Sequence, residues 1–420
     1  MKTNKVTNRF KIEDYLLLIS LLLQDAGTFG FLPLNLSQII IIFLCFILII
    51  KLRSSNYKMY MPKNVILFFI YIFAITFLNV FDVESIKGIC FFVLQTITIF
   101  LYLSTVEDYS KIYKIMYITA FILSCYGIIQ TIAYYAEIPT IYDMSLYGFA
   151  VNNSYVGKNG IFRPSSLYSE PAHLTGILIS GIYIGLVNEQ DEKHIKKWKT
   201  LIIFIFSVLT KSTITYISLA MILIYYFIIY KKAFFKNFKW ICLIVIITSI
   251  ILSNNPRIMN EVMYKFKSLK TADPTYSSDA SGFAIISNLK IAFNKMKDGY
   301  LFGTGYDSHR LYYYKYIDNL YSNVLFYLNV DEAASLYTRI FSEFGIIGLI
   351  AFITFCMNKL IYSIKTKNKD LMFFTILLLI IILRNGSYVY IINSLSFSVL
   401  ICHKKIENNR SEKKHLDIAK

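Results

Sequence analysis

One segment of the chain places an arginine, a glutamate and a histidine close together. It reads FRPSSLYSEPAHLTG over residues 162–176 and contains Arg163, Glu170 and His173. Proline is favoured in the first turn of a helix, so Glu170-Pro171 predicts a helix that begins at residue 171, with Glu170 near its N-terminus and His173 in its first turn. A carboxylate there can orient an arginine or a histidine for catalysis. The alternative is a surface ion pair at the start of a helix.

A lysine lies between two short apolar runs, at residues 199–210 and 213–230. Two full membrane spans need about 40 residues, which is more than these runs contain. The turn that contains Lys211 is therefore predicted to lie below the outer membrane surface, where protein or a water-filled cavity must cover its backbone. Lys211 is a candidate for function, and snorkelling to the lipid headgroups is its alternative role.

Two further ionisable residues accompany glycine motifs. His309 follows GTGYDS, in which Gly303 and Gly305 predict a tight turn, with a phosphate cradle as the alternative. Glu343 lies in SEFGIIG at the head of a later apolar run. A helix N-terminus favours an acid, so a capping role competes with a catalytic role for Glu343.

The composition indicates that these residues belong to a membrane protein. The chain has 420 residues, of which 56% are hydrophobic and 16% are charged, and its formal net charge is +17. Soluble chains carry about 25% charged residues. A soluble enzyme with one compact core is therefore excluded. The six cysteines are far apart in apolar stretches, which predicts free thiols and no disulfide.

Twelve apolar runs predict an all-α polytopic membrane protein, folded as one membrane domain over residues 1–420. They lie at about 14–24, 36–50, 64–81, 86–103, 112–134, 171–188, 199–210, 213–230, 240–253, 341–357, 371–383 and 388–402. The basic first 13 residues lead into the first run without a cleavage site, which predicts a retained span.

The distribution of lysine and arginine predicts the orientation of these spans. With a cytoplasmic N-terminus, the inside segments hold 28 of the 43 basic residues. Ten of the remaining 15 lie in one long loop, and long loops report orientation poorly. The positive-inside rule therefore predicts N-in, C-in, with residues 403–420 as a basic cytoplasmic tail. The same distribution argues against nucleic acid as the partner of the positive charge.

Two predicted external loops, residues 135–170 and 254–340, are too long to be simple connections. Within the second, residues 257–270 and 283–296 carry apolar stripes that predict short amphipathic helices, which either lie on the membrane surface or pack together.

The same loop is rich in tyrosine between residues 309 and 327. Aromatic faces with a polar tip can stack on sugar rings, so Tyr312, Tyr313 and Tyr316 are candidates for sugar binding. Aromatic packing is the alternative.

Five motifs in this order resemble a known family. They are RPSSLYSEPAHL (163–174), LTKSTITYISLA (209–220), FGTGY (302–306), RIFSEFGIIGL (339–349) and LRNGSY (383–388). From the fifth span onward the chain resembles the bacterial O-antigen polymerase and ligase superfamily, especially Wzy-type capsular and exopolysaccharide polymerases. The resemblance implies a glycosyltransferase that joins oligosaccharide repeat units on undecaprenyl pyrophosphate, at the outer face of the bacterial cytoplasmic membrane.

The resemblance also implies a metal-independent reaction without a cofactor. Its partners are the lipid-linked donor and acceptor, membrane lipids and, in such systems, a chain-length regulator. The departing pyrophosphate needs cations, and the planar guanidinium of arginine pairs two oxygens at once. Arg163, Arg339 and Arg384 lie in matching motifs and are expected to hold the pyrophosphate, with help from Lys211.

The chain departs from the family in one place that concerns the general base. Many members have a His-Asn pair shortly before the EFG motif, where this chain has Asp331-Glu332-Ala333-Ala334-Ser335. The base therefore remains open. The candidates are His309, His173, Asp331, Glu332 and Glu170.

Another departure concerns a cation. An arginine is common in the family about twenty residues before the GxG turn, where this chain reads SGFAIISNLK with Lys290 as its only cation. Either Lys295 or Lys297 substitutes for that arginine, or the contact is missing.

The sequence can be compared with three other classes of membrane protein. An O-antigen ligase would transfer finished chains to another acceptor, and the missing His-Asn pair argues against it. A flippase for the lipid-linked repeat would be expected to show two similar halves, which the chain lacks. A membrane scaffold would not need so many external arginines beside Glu-Pro and glycine motifs.

Overall fold

A computed structural model describes residues 10–26, 34–54, 62–79, 82–106, 108–149, 162–187, 197–230, 280–321 and 327–418. Within these ranges the regular structure is helical, and one antiparallel bridge between Ala26 and Phe149 is the only β pairing. The prediction of an all-α fold is confirmed.

The helices of the described ranges are numbered in chain order. They are α1 (Ile12–Leu22), α2 (Leu36–Ser54), α3 (Lys63–Asn79), α4 (Val83–Thr105), α5 (Tyr109–Tyr135), α6 (Pro139–Tyr142), α7 (Thr175–Val187), α8 (Lys197–Leu209), α9 (Thr213–Ile229), α10 (Ala280–Lys297), α11 (His309–Leu320), α12 (Leu336–Lys365), α13 (Lys369–Ile381) and α14 (Ile391–Ile418). A 3₁₀ turn, Met144–Tyr147, follows α6.

Eleven of the twelve predicted apolar runs coincide with helices, and the ninth, 240–253, lies outside the described residues. In the part of the chain that the structure describes, four helices are long and apolar enough to cross a membrane: α2, α4, α5 and α12. Shorter apolar helices are Val65–Asn79, Thr175–Val187 and Thr213–Ile229. These helices indicate a multi-pass membrane protein, while the count of twelve and the N-in, C-in orientation stay predictions. The segment predicted as a basic tail continues α14 as far as Ile418.

The short pair α8 and α9 has the lengths that the sequence suggested. Their 13 and 17 residues correspond to about 20 Å and about 26 Å of helix, less than the roughly 30 Å of a hydrocarbon core. Thr210 and Ser212, in the turn between them, are buried. A hydrogen bond of 2.8 Å joins the hydroxyls of Thr215 and Thr175 and ties this turn to the start of α7. Protein therefore covers the turn.

Helices α10 and α11 fold into a small unit against α12. Its core contains Phe283, Ile291, Tyr313, Tyr316 and Ile317. The buried face of α10 differs from the predicted apolar stripe. Leu289 and Phe293 of that stripe are exposed, whereas the polar residues Ser287, Asn288 and Lys295 are buried. These polar residues are hydrogen-bonded, which offsets their loss of hydration. The partner helix predicted at 257–270 lies outside the described residues.

A break in α12 receives the GTG turn. Gly345 has φ +66°, so α12 is interrupted there, and the freed carbonyl of Glu343 accepts hydrogen bonds from the N–H groups of Thr304 (2.9 Å) and Gly305 (2.8 Å). A Cβ on Gly345 would lie 2.0 Å from the carbonyl oxygen of Leu301, and one on Gly303 would lie 2.2 Å from that of Glu343. Only glycine fits at these close backbone approaches. The two motifs thus form one joint, and the GTG segment is the tight turn that the sequence predicted.

Many helix ends meet at one end of the bundle. The Tyr168 hydroxyl donates to the Leu21 carbonyl at the end of α1 (2.8 Å), and the Ile391 N–H at the start of α14 donates to Gln24 (2.8 Å). The Leu336 N–H at the start of α12 donates to the Ile382 carbonyl after α13 (3.1 Å). The loops that join these ends carry almost every residue that the sequence singled out.

Candidate active site

His173 is the centre of a buried polar cluster, which we call the His173 cluster: Asp25, Ser169, His173, Glu332 and Tyr390. Its Nδ1 lies 2.9 Å from the Ser169 hydroxyl, 2.7 Å from the Tyr390 hydroxyl and 3.6 Å from Asp25 Oδ2. Its Nε2 lies 3.8 Å from Glu332 Oε2. The cluster joins the end of α1, the loop before α7, the loop before α12 and the loop before α14.

The hydrogen bonds of this cluster indicate where its protons lie. Asp25 Oδ2 accepts from both the N–H and the hydroxyl of Ser169, each at 2.8 Å. With the Ser169 hydroxyl donating to Asp25, a protonated His173 Nδ1 donates to the oxygens of Ser169 and Tyr390. Burial opposes the charged form, but Asp25, Glu332 and Glu170 outweigh it and raise the pKa of His173. His173 and Ser169 in turn lower the pKa of the buried Asp25.

The helix that the sequence predicted to begin at Pro171 begins four residues later, at Thr175. The N–H of His173 bonds the Glu170 carbonyl (3.1 Å) and that of Thr175 bonds the Ala172 carbonyl (3.2 Å), so the segment forms tight turns. The contacts of Ser169 and His173 with Asp25 hold it in this form. The predicted position of His173 in a first helical turn is therefore wrong, and a loop carries it.

Arg384 links Glu170 to the loop before α12. Its Nη2 lies 3.3 Å from Glu170 Oε2, and its Nη1 donates to the Ala334 carbonyl at 3.1 Å. A Cβ on Gly386 would lie 1.8 Å from the Glu332 carbonyl oxygen, so the 384–388 loop lies directly against this segment. Glu170 thus pairs with an arginine more than two hundred residues away in sequence, and this pairing was not visible in the sequence.

Strained backbone is concentrated in these loops. Eight of the described non-glycine residues have positive φ, and five of them lie at this end of the bundle: Ser166, Lys211, Asp307, Ala333 and Ala334. Such conformations cost about 1–3 kcal/mol each and persist where the surroundings impose them, most often at functional sites. Ala333 and Ala334 are fully buried and follow Glu332 directly.

Arg339 lies in a second network beside the first. Its Nε donates to Glu343 Oε1 (2.9 Å), its Nη2 to Asp307 Oδ1 (2.9 Å) and its Nη1 to the Gly386 carbonyl (3.2 Å). The guanidinium carbon also lies 4.7 Å from the ring centroid of Tyr388. The Arg339 side chain is only 7% exposed. It was predicted to hold pyrophosphate, but these contacts direct it toward Glu343 and Asp307.

Glu343 lies eight residues into α12 and is fully buried, so it does not cap the helix. Ser335 is the N-cap, and its hydroxyl accepts from the Thr338 N–H at 3.2 Å. Asp307 continues the network to Arg310, which also contacts Asp82 and Glu84 at the start of α4. This ionic chain attaches the α10–α11 unit to the rest of the bundle.

His309 is fully buried, and both of its ring nitrogens are occupied. The amide nitrogen of Asn288 donates to two carbonyls, those of Ala284 and Leu328, so its Oδ1 accepts from His309 Nε2 at 2.7 Å. His309 Nδ1 then accepts from the Ser342 hydroxyl at 2.8 Å. Burial, together with Lys295 and Arg339, lowers the pKa of His309 well below its usual value. This environment favours a neutral structural histidine over a general base.

Lys295 completes the same buried network. Its ammonium lies 2.7 Å from the Thr304 hydroxyl and 3.2 Å from that of Ser342, and 4.4 Å from the ring centroid of Tyr312. Burial lowers the pKa of Lys295 to about 7, against a weaker opposing effect of Glu343. The lysine is 1% exposed.

A pH dependence of stability follows from Lys295. Its ordinary pKa is 10.5 and its pKa in the fold is lower, so the unfolded chain binds more protons between about pH 7 and 10.5. We expect stability to fall as the pH falls across this interval, measured as the midpoint of thermal unfolding in detergent. Lys295→Met should flatten the dependence, and Lys297→Met, on the exposed side of the same helix, should leave it unchanged. An equally steep profile in Lys295→Met would contradict the assignment.

The three candidate tyrosines differ in their exposure. Tyr313 and Tyr316 are buried in the core of the α10–α11 unit, and the Tyr316 hydroxyl donates to Asp298. Tyr312 is half-buried and packs edge-on against Tyr300. Aromatic packing, the alternative role considered for these residues, is what the structure shows for Tyr313 and Tyr316. Tyr314 and Tyr327 are the exposed tyrosines beside them.

Arg163 and Lys211 lie at the same end of the bundle. The Lys211 ammonium donates to the Phe162 carbonyl at 3.1 Å, directly before Arg163. The adjoining residues are fixed by Ser166, whose hydroxyl donates to the Leu123 carbonyl of α5 at 2.8 Å. Lys211 therefore extends along the 162–174 segment. Arg163 lies in the loop that contains Glu170 and His173, and Lys211 contacts that loop at Phe162.

A comparison with known families bears on this arrangement. Residues 200–353 match the Wzy_C family model, described as O-antigen ligase. Over these 154 of its 420 residues, the chain is similar to the O-antigen ligase and polymerase superfamily. The family covers ligases and related polymerases, which are membrane enzymes of the glycosyltransferase kind. No curated protein and no solved structure matches the chain.

The Wzy_C region contains only part of the site. Lys211, Glu332, Arg339 and Glu343 lie inside the matched residues, whereas Asp25, the 162–174 segment and the 384–390 loop lie outside them. The His173 cluster is thus assembled from both parts of the chain. Among the described residues, no group of three His, Cys, Asp or Glu side chains has the geometry to hold a metal ion.

Proposed function

We propose that the chain is a polysaccharide polymerase of the bacterial cytoplasmic membrane, which joins undecaprenyl-pyrophosphate-linked oligosaccharide repeats at the outer face. The observation that carries the proposal is the pairing of Arg384 with Glu170 beside Glu332 of the His173 cluster, in the loop region that Lys211 also contacts through Phe162. Such a site combines cations for a leaving pyrophosphate with carboxylates for an attacking hydroxyl.

Each part of this site has a task in the proposed reaction. Arg384, Arg163 and Lys211 stabilise the negative charge that grows on the pyrophosphate as its bond to the sugar breaks. Glu170 holds the Arg384 guanidinium in place, since the two side chains are paired at 3.3 Å. Arg339, which is bound to Glu343 and Asp307, positions the loops and does not touch the substrate. In this scheme these basic side chains stabilise the charge of the departing pyrophosphate, which is the task that a metal ion would otherwise have.

O-antigen ligase is the second candidate, and the description of the matching family model favours it. Both reactions break the same bond between a sugar and undecaprenyl pyrophosphate, so the cationic part of the site serves either one. They differ in the acceptor hydroxyl. A polymerase uses the terminal sugar of another lipid-linked repeat, whereas a ligase uses a different acceptor molecule.

Purified protein in lipid vesicles distinguishes these reactions. The lipid-linked repeat from the same gene cluster is supplied alone, and the products are separated by size. A polymerase produces a ladder of lengthened glycans. A ligase produces no ladder, but transfers glycan when a candidate acceptor is added. A flippase moves the repeat across the vesicle membrane without lengthening it, and that result would contradict the proposal.

A further inference from the structure

Of the two carboxylates and the histidine in the His173 cluster, Glu332 is the most exposed. Its side chain is 29% exposed, compared with 7% for His173 and 9% for Asp25. Glu332 is therefore the most accessible of these three side chains. The histidine lies behind it, with Nε2 directed at the carboxylate across 3.8 Å.

The loop that carries Glu332 is held in an unusual conformation. Ala333 and Ala334 both adopt left-handed backbone angles, with φ of +50° and +60°. Arg384 binds the Ala334 carbonyl, and the absence of a side chain on Gly386 lets the 384–388 loop press against the Glu332 carbonyl. The contacts with Arg384 and with the 384–388 loop impose this strained backbone, and the backbone in turn fixes the position of the Glu332 side chain.

The charges around Glu332 suit a proton acceptor. His173 and Glu170 of the 162–174 loop, Asp25 after α1 and Arg339 of α12 face it from three different segments. Burial raises the pKa of Glu332, while His173 and Arg339 limit the rise. A carboxylate is a better base when its pKa is raised toward neutrality, provided that it stays ionised.

We propose that Glu332 is the general base that activates the acceptor hydroxyl, and that Asp25 and His173 form a dyad that positions it and keeps it ionised. This inference rests on the proposed glycosyl transfer. The acceptor O–H bond breaks and its proton passes to Glu332. The acceptor oxygen bonds to the anomeric carbon, and the bond from that carbon to the phosphate oxygen breaks, so its electron pair leaves on undecaprenyl pyrophosphate.

The dyad has a distinct task in this scheme. His173 donates its Nδ1 proton toward Ser169, which is bound to Asp25, so the ring is held with Nε2 facing Glu332. An imidazolium there stabilises the ionised carboxylate before the reaction. His173 and Asp25 are positioning residues, because Glu332 alone touches the substrate.

The test uses the full-length protein in lipid vesicles with the lipid-linked repeat. Glu332→Gln should slow transfer by about 10²–10⁴-fold, the range for loss of a general base, without weakening the binding of undecaprenyl pyrophosphate. Asp318→Asn removes an exposed carboxylate of α11, outside the cluster, and should leave the rate unchanged. Glu332→Asp should retain part of the rate and serves if the glutamine variant fails to fold.

A pH profile separates the positioning role from a merely structural one. The acidic limb of the rate profile should report the protonation of Glu332. Removing the cation in His173→Asn raises the pKa of Glu332, so this limb should move to higher pH. A slower enzyme with an unmoved acidic limb would mean that His173 only supports the fold. Near-wild-type transfer by Glu332→Gln would overturn the base assignment.

The outcomes also separate this inference from the proposed function. Wild-type protein that transfers glycan to another acceptor without lengthening its own repeat is a ligase, and the variants then test Glu332 on that transfer. Wild-type protein that transfers glycan to no hydroxyl contradicts both proposals.

Discussion

Arg163→Ala should abolish the extension of lipid-linked repeats while the protein remains inserted and folded. Arg163 follows the Phe162 carbonyl that binds Lys211, in the loop that leads to Glu170 and His173. In the proposed reaction its charge is needed most when the pyrophosphate departs, and removing one such stabilising group typically lowers a rate by about 10²–10³-fold. The measurement is the initial rate of lengthening in vesicles, with the amount of folded protein fixed.

Two variants control this experiment. Arg163→Lys keeps the charge but loses the planar pair of donors, so an intermediate rate is expected. Lys315→Ala removes an exposed cation of α11, outside the site, and should leave the rate unchanged. Polymer of normal length from well-folded Arg163→Ala protein would remove Arg163 from the proposed pyrophosphate site.

Arg339→Ala should destabilise the fold more than any other single change considered for this chain. The substitution leaves the buried Glu343 carboxyl without its arginine partner, and Asp307 loses one of its two arginines. Breaking a buried ion pair on one side costs about 3–5 kcal/mol. We expect a loss of this size in the free energy of unfolding in detergent, together with a low yield of inserted protein.

Arg310→Ala provides the matched control, because Arg310 also binds Asp307 but is more exposed, at 22%. Pairs of that kind contribute about 1 kcal/mol or less. The double variant Arg339→Ala, Glu343→Ala should lose less than the sum of the two single variants, since each single change leaves one charge unpaired. Equal losses for Arg339→Ala and Arg310→Ala would contradict a buried network.

Most helices were predictable from the sequence, because a long apolar run in a membrane must satisfy its own backbone hydrogen bonds and a helix does this. Even the short α8 and α9 pair followed from the number of residues between its basic flanks. The buried face of α10 did not follow, because hydropathy treats Asn288 and Lys295 as exposed. The hydrogen bonds that make their burial tolerable join three separate segments, and pattern alone does not reveal them.

The site was predictable in its location and only partly in its contacts. The sequence identified Arg163, Glu170, His173 and Arg384, yet it did not pair Glu170 with Arg384, since that contact depends on the packing of α7 against α13. Asp25, Ser169 and Tyr390 were missed. Asp25 follows an apolar run directly, and the rule that drew attention to ionisable residues at membrane boundaries would have found it. Nothing in the sequence distinguished buried His309 from accessible Glu332.

In the proposed reaction, each transfer releases one undecaprenyl pyrophosphate and adds one repeat to the glycan. The most direct measurement counts undecaprenyl pyrophosphate released and repeats added by purified protein in the same vesicles. The account predicts one carrier for each added repeat at every chain length, and loss of both in Glu332→Gln. Carrier released without lengthening, or lengthening without release of carrier, would contradict it.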